Sequence, residues 1–296
     1  MRWKHGFLLA ALTLLVLACT IPIPNIPTPA PLTLIDPVDL QKTVAADGAS
    51  QAMVKLGVYV GDLTLSSSDA VAFFDGHFRY NVAEWEPVLR QETVGDTLRL
   101  TVNQGLGTQL PLADHEKYSN AWSVTLGRGI PVDLQADLGL GAAEVDLGGI
   151  PLTGLSITAG SGDVTLTCAT PNPQALAMLR LTAGTGTVIA SQLGNANFDR
   201  FAFIGGAGGA DLDLSGAWTR SALADIKAGA GKVTVRTPAR VGVRLSFSGT
   251  PVSDLHTVGF TEQSENVFVN ADYGNVPLTL TLNIAVAAGS VTVIAP

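Results

Sequence analysis

Cysteine is nearly absent. The chain of 296 residues holds two, Cys19 at the end of an N-terminal apolar run and Cys168 far downstream. With Cys19 set aside, no pair remains to bridge folded segments, so stability must come from packing and not from disulfides. Charge is also sparse, at 14 % of residues with a net charge of −8. Without Arg2 and Lys4, which precede the apolar run, 15 basic residues face 25 acidic ones, a net charge of −10. An acidic surface repels phosphate backbones, which argues against nucleic acid as a partner. The four histidines stand apart at positions 5, 77, 115 and 256, and His115-Glu116 lacks the second histidine that a zinc-protease helix needs. No Gly-x-Ser-x-Gly elbow occurs. Beyond residue 18, no apolar run is long enough to span a membrane, and no amphipathic helical pattern of useful length is found. The chain thus shows no positive sign of catalysis, and no cofactor or metal is expected.

What the chain has in abundance is glycine, 32 residues of it, arranged in a repeated phrase between Val132 and Val235. Two apolar residues precede a Gly-x-Gly or Gly-x-Ala turn, followed by one polar residue and an apolar-x-apolar alternation. The copies lead with Gly141, Gly160 (with Gly162), Gly184 (with Gly186), Gly208 and Gly229 (with Gly231). The leading glycines lie 19 to 24 residues apart, a period that signals stacked supersecondary units. Permissive φ at the glycines makes the corners, and the alternation turns one set of side chains inward. The expected inward column pairs Val145 with Leu147, Val164 with Leu166, Val188 with Ala190, Leu212 with Leu214 and Val233 with Val235. A second inward pair precedes each turn, from Leu138 and Leu140 through Leu155 and Ile157 to Phe201 and Phe203. Asp146, Thr165, Ile189, Asp213 and Thr234 form the expected outward column. Stacked rungs bury a continuous ladder that no single rung buries alone. The fold class read from this pattern is all-β, a stacked single sheet or parallel β-solenoid.

The flanks extend the array. Gly61-Asp62-Leu63-Thr64-Leu65 repeats the phrase as a first rung separated by an insertion, and Gly289-Ser290-Val291-Thr292-Val293 repeats it near the end. The strand from Leu278 is expected to close the stack. Within the insertion, Ala70 to Asn81 reads as a hairpin turning at Asp75-Gly76, and two further strands flank Gly95-Asp96. Asp36 to Ser50 reads as poorly ordered. The resulting division is a leader over 1–18, Cys19 with a proline-rich linker over 19–50, a β-rich part over 51–130 and the repeat solenoid over 131–296.

The leader has a basic start, an apolar stretch from Phe7 to Leu17 and the sequence Leu15-Val16-Leu17-Ala18-Cys19. A small residue before a cysteine resembles the bacterial lipobox, which makes Cys19 the expected lipidation site; an ordinary secretory signal is the alternative. Lipid chains hold a protein on a membrane without a transmembrane helix. The prolines at 22, 24, 27, 29, 31 and 37 then make an extended tether.

Other patterns are weaker. The polar position after each turn reads Asp62, Glu144, Asp163, Thr187, Asp211, Lys232, Ser290. Stacked carboxylates can share a cation, but Thr187 and Lys232 interrupt the column, and solvation of the outer face is the preferred reading. Gly229-Ala230-Gly231-Lys232 lacks the rest of a phosphate loop. Cys168 reads as a small buried filler. Trp85, Trp122 and Trp218, with Phe73, Phe74, Phe78 and Tyr80, either contact a partner or cap the stack. Capping is preferred, and Trp218 is the residue expected at the surface.

Gly57 to Leu65, Leu138 to Leu166 and the late segments Val258-Gly259-Phe260 and Ala288-Gly289-Ser290-Val291 resemble the toast-rack β-solenoid domains of bacterial envelope proteins. That group includes the LiaF-like C-terminal domain and adhesin-type domains. The resemblance covers roughly Ala52 to Val293. It implies action through protein contacts, in envelope-stress regulation or at the cell surface. A lipobox where LiaF-like proteins have transmembrane helices is a departure that weakens any direct restraint of a membrane-embedded kinase. The function expected is a non-catalytic, membrane-anchored lipoprotein on the extracytoplasmic face, with envelope proteins or cell-surface glycans as partners. A carbohydrate-binding or carbohydrate-cleaving β-helix is the alternative. A flat Thr/Asp face favours the former; a groove lined with aromatics and paired acids favours the latter.

Overall fold

A glycine every twenty-odd residues bends each strand at the same height, and the bends stack. The computed structural model describes residues 32–70, 73–105 and 115–296. The leader, Cys19 and the first part of the tether lie outside the described residues. Among the described residues there are nineteen strands in one sheet, three short 3₁₀ turns and no α-helix.

Four strands run through a whole rung: β12 (Leu176–Ser191), β13 (Phe198–Asp213), β14 (Ala222–Arg236) and β19 (Thr279–Ile294). In three other rungs the bend divides the strand in two. These are β2 (Gln51–Val60) with β3 (Asp62–Ser68), β8 (Val132–Leu140) with β9 (Ala143–Asp146), and β10 (Leu152–Ser161) with β11 (Val164–Thr167). Gly61, Gly141, Gly162, Gly186, Gly208, Gly231 and Gly289 sit at the bends, all with φ between +117° and +142°. A side chain there would be strained, and it would also strike the rung before it. A Cβ on Gly162 would overlap the carbonyl oxygen of Gly141, and one on Gly186 that of Gly162. Gly160, Gly184 and Gly229 form a second column beside the bend, each against the carbonyl of the preceding rung.

This geometry corrects the alignment of the copies. In the phrases led by Gly141 and Gly208 the first glycine is the bend, whereas in the other three it is the second. The true register therefore sets Ala143 and Val145 beside Val164 and Leu166, and Ala210 and Leu212 beside Val188 and Ala190. Leu147 and Leu214 fall in the return loops, though still buried. Leu140 is 45 % exposed, so the inward pair before that bend is Ala136 and Leu138. The outward level is Glu144, Thr165, Ile189, Asp211 and Thr234.

Each rung has two arms. The first arm carries the halves before the bend, in parallel register from Leu155↔Leu179 to Phe203↔Ile226 and Ile226↔Ile284. The second carries the halves after it. Return loops make the third side, where the backbone leaves the ladder and its buried polar groups need other partners. Buried asparagines supply them. Asn172 donates to the carbonyls of Leu152 (2.8 Å) and Ala196 (3.1 Å) and accepts from the amides of Leu152 (3.1 Å) and Gln174 (3.0 Å). Asn195 donates to the Cys168 carbonyl (2.7 Å) and accepts from the Ala217 amide (2.7 Å).

Chain order and spatial order differ at both ends. At the front, β6 (Thr97–Asn103) and β7 (Asn120–Gly127) add a rung outside β2 and β3. Antiparallel β5 (Val88–Val94) extends the first arm, and β4 (Phe74–Val82) with β1 (Leu34–Val44) extends the second. At the back, β19 does not close the stack. It lies between β14 and an outer rung of β15 (Gly242–Gly249) and β16 (Ser253–Val258). The hairpin of β17 (Phe260–Ser264) and β18 (Val267–Asn270) then continues the first arm from β15.

Two further expectations change. Residues 36–44 are strand, because Val38 and Leu40 pack against the core from a position beside β4. Asp75-Gly76 is no turn: Gly76 faces inward in β4, where a Cβ would overlap the rings of Phe74 and Phe78. Its missing side chain is the space those rings occupy.

Candidate interaction surface

The second arm's outer face is a broad, regular surface. At one level the register runs Ser123↔Thr64↔Glu144↔Thr165 and on through Ile189, Asp211, Thr234, Thr292 and His256. Nine strands at about 4.8 Å spacing span roughly 38 Å. Hydroxyls and carboxylates dominate it because period-2 alternation sends every apolar neighbour of these residues into the core.

Four carboxylates of this face are occupied by the fold. Asp62 accepts the Ala142 amide and Asp163 the Thr187 amide, both at 2.8 Å. In each case an acid just after one bend accepts the amide of the neighbouring rung's residue one place past its own bend. Asp213 accepts the amide and hydroxyl of Ser215, both at 2.9 Å, and Asp211 pairs with Arg236. Asp62 and Asp163 lie at the bend level, apart from Glu144 and Asp211, so the acidic positions do not form one column. Among the described residues no three His, Cys, Asp or Glu side chains converge as metal ligands.

The tryptophans divide. Trp85 and Trp122 are each 1 % exposed and offer a partner no surface. Trp122 meets Phe78 edge-on at 4.8 Å and donates to Asn120 Oδ1 at 3.0 Å, and Asn120 ties on to the Val60 carbonyl at 2.6 Å. Together with Phe73, Phe74 and Tyr80 they fill the front of the core. Trp85 joins Val60 and Val82 in a satellite cluster. Trp218 is half-buried over the return loops. Its indole N–H donates to the Leu214 carbonyl at 2.8 Å, and its ring stands edge-on to Phe198 at 5.5 Å. Tyr59, on the first arm, is the single aromatic among the exposed large apolar side chains described. It stands on the outer side of β2 with Gln51, Met53 and Lys55, opposite the inward Ala52, Val54, Leu56, Val58 and Val60.

Cys168 is buried, and burial, aided by Asp146, pushes its thiol up to about 12. A thiol so protonated is a poor nucleophile. His115 to Lys117 form a 3₁₀ turn. No helix among the described residues is long and apolar enough to cross a membrane.

A family model described as the N-terminal domain of toast_rack, DUF2154, matches residues 36–189. The chain is similar to a "putative cell adhesion protein" from Clostridium sporogenes at 21 % identity, covering 88 % of this chain and 100 % of that one, with a TM-score of 0.47. It is also similar to a "putative adhesin" from Bacteroides fragilis, at 13 % identity, 87 % and 96 % coverage and a TM-score of 0.38. A "putative lipid binding protein" from Parabacteroides distasonis is similar at 11 % identity, 87 % and 96 % coverage and a TM-score of 0.41. No curated protein sequence matches the chain.

Proposed function

The chain belongs to the toast-rack N-terminal domain family, and we propose that it is a non-catalytic interaction module of the bacterial envelope. In this reading Cys19 carries lipid, residues 20–31 are the tether and the stack is held on the extracytoplasmic side of a membrane, acting in adhesion or envelope-stress signalling. The observation that carries it is the outer face of the second arm. It is extended and polar, built mainly of Thr, Ser, Asp and Glu on a regular ladder, with an open recess among Asp39, Gln41, His77, Arg79 and Ser123 at its front end, a surface suited to broad contact with a partner. Asp62, Asp163 and Asp211 serve backbone amides and an arginine, a structural use. The carbohydrate reading calls for a groove with aromatic platforms, whereas Phe73, Phe74, Phe78 and Trp122 are buried in the core.

The test is capture of crosslinked envelope proteins by the wild-type chain and by Glu144→Lys/Asp211→Lys, run beside a glycan array. Specific protein capture that the double variant loses, at unchanged fold by circular dichroism, supports the proposal. Glycan binding without protein capture overturns it. Separately, Cys19→Ser should move the protein from the membrane to the soluble fraction, and full membrane retention removes the lipid anchor.

A further inference from the structure

Four strands carry an unpaired edge among the described residues: β1 and β5 at the front, β16 and β17 at the back. An open edge is a template for another strand, and natural sheets blunt it with proline, bulges or charge pointed inward. β1 has Pro37 and a break in register between Leu34 and Val38. β17 has a break between Glu262 and Ser264 and sets Glu262 on the same side as Phe260. β5 has none of these within its span. Its seven residues pair with β6 without interruption, from Val88↔Asn103 to Val94↔Thr97. All but Leu89 are exposed, including Val88 at 46 % and Val94 at 50 %. A strand with one half-buried side chain against the core, Leu89, and one neighbouring strand gains little from packing.

The sequence of β5, Val88-Leu89-Arg90-Gln91-Glu92-Thr93-Val94, is complementary to itself in the antiparallel sense. Centred on Gln91, a second β5 sets Val88 against Val94, Leu89 against Thr93 and Arg90 against Glu92, each twice about a twofold axis. Directly opposed residues share a face, so both Arg–Glu pairs and both Val–Val pairs fall together on the outer face. Glu92 already stands 3.6 Å from Arg99 of β6. Arg90 of the second copy would flank it from the other side, leaving that carboxylate between two guanidinium groups.

We propose that β5 is a homotypic association edge: two copies join β5 to β5, and the first arm's sheet continues across the axis. This goes beyond the interaction-module reading and does not depend on a membrane anchor. Seven paired residues bury less than a standard interface, so the dissociation constant in solution falls in the range of roughly 10 µM to 1 mM. Copies held on one surface meet at a higher effective concentration and associate more fully.

The experiment uses the chain from Thr20 on, in sedimentation equilibrium between about 10 µM and 1 mM. The mass rises from one chain toward two. Arg90→Glu and Glu92→Arg each weaken association by about tenfold or more, because like charges then face each other. The combined Arg90→Glu/Glu92→Arg/Arg99→Glu variant, which also keeps residue 92 opposite an unlike charge on β6, restores it to within about threefold, as does no variant that merely damages the hairpin. Asp254→Lys, on the back edge, leaves association unchanged. In Gln91→Cys, mild oxidation links two chains, since residues opposed in an antiparallel pair lie about 4.5–5.5 Å apart at Cα, within disulfide reach. Monomers throughout the range overturn the proposal, and so does a dimer indifferent to both single reversals or unrescued by the triple variant.

Discussion

Each rung turns at two kinds of corner, and the two use opposite chemistry. At the bend the ladder continues, so the neighbouring rung is one strand spacing away and its carbonyl occupies the volume a Cβ needs. The remedy is to remove the side chain. In the return loops the ladder stops, and buried amides and carbonyls lose their partners. The remedy there is to add a side chain, an asparagine whose amide both donates and accepts. A stack of this kind therefore depends on its smallest residue at one corner and on a polar one at another. Neither requirement concerns the apolar core.

The largest effect is expected from loading the first corner. Gly162→Ala adds a methyl group to a residue at φ +138° whose Cβ would overlap the Gly141 carbonyl, and should cost about 3 kcal/mol or more. The melting temperature should fall by at least about 6 °C. Gly129→Ala is the control: nothing lies within 4 Å of its Cβ position, and it should stay within about 0.5 kcal/mol. Equal melting temperatures for the two variants would remove the steric account.

Emptying the second corner should cost less. Asn172→Ala leaves the Gln174 amide and the Leu152 and Ala196 carbonyls short of a partner, at about 2 kcal/mol in urea unfolding. A loss under about 0.5 kcal/mol would mean that water replaces the amide.

The smallest effect lies outside both corners, at exposed carboxylates. The Ser50 hydroxyl and the Gln51 amide hold Asp96 below the usual carboxylate range, and the Thr33 amide does the same for Glu84. A lowered folded pKa gives stability that is present above the unfolded value, near 4, and is lost as pH falls through the folded one. The difference in melting temperature between wild type and Asp96→Asn should therefore shrink as pH drops from 7 to 3. A difference that holds constant over that range would exclude the ionised carboxylate as its source.

Much of the fold was legible in the glycine phrase, because a bend that forbids a side chain leaves a mark on every copy. The distant copies at Gly61 and Gly289 were found by the same mark. What escaped was which of two glycines makes the bend: Gly139 and Gly141 flank Leu140 just as Gly160 and Gly162 flank Ser161, so an alignment on the leading glycine slips by two residues. Such a slip of two keeps the alternation intact and leaves inward residues inward and outward residues outward. Gly76 misled for the opposite reason. Its glycine answers to the rings of Phe74 and Phe78 in three dimensions and not to a turn. For the candidate surface, the Thr/Asp character of the outer face was readable from period 2. The burial of Trp85 and Trp122 was not, since nothing local distinguishes a cap from an anchor.

Composition and period by themselves determined that this chain is a stack of β-rungs turning on glycine, with an acidic polar exterior. Those properties are local, each set by the φ a residue tolerates and by which side of a strand it occupies. The order of the rungs was decided only in three dimensions. Nothing in β19 says that β15 and β16 lie outside it, and nothing in residues 34–44 says that β4 waits beside them. Strand pairing joins backbone groups that are the same in every residue, so neighbours are chosen by the fit of buried side chains across the whole stack.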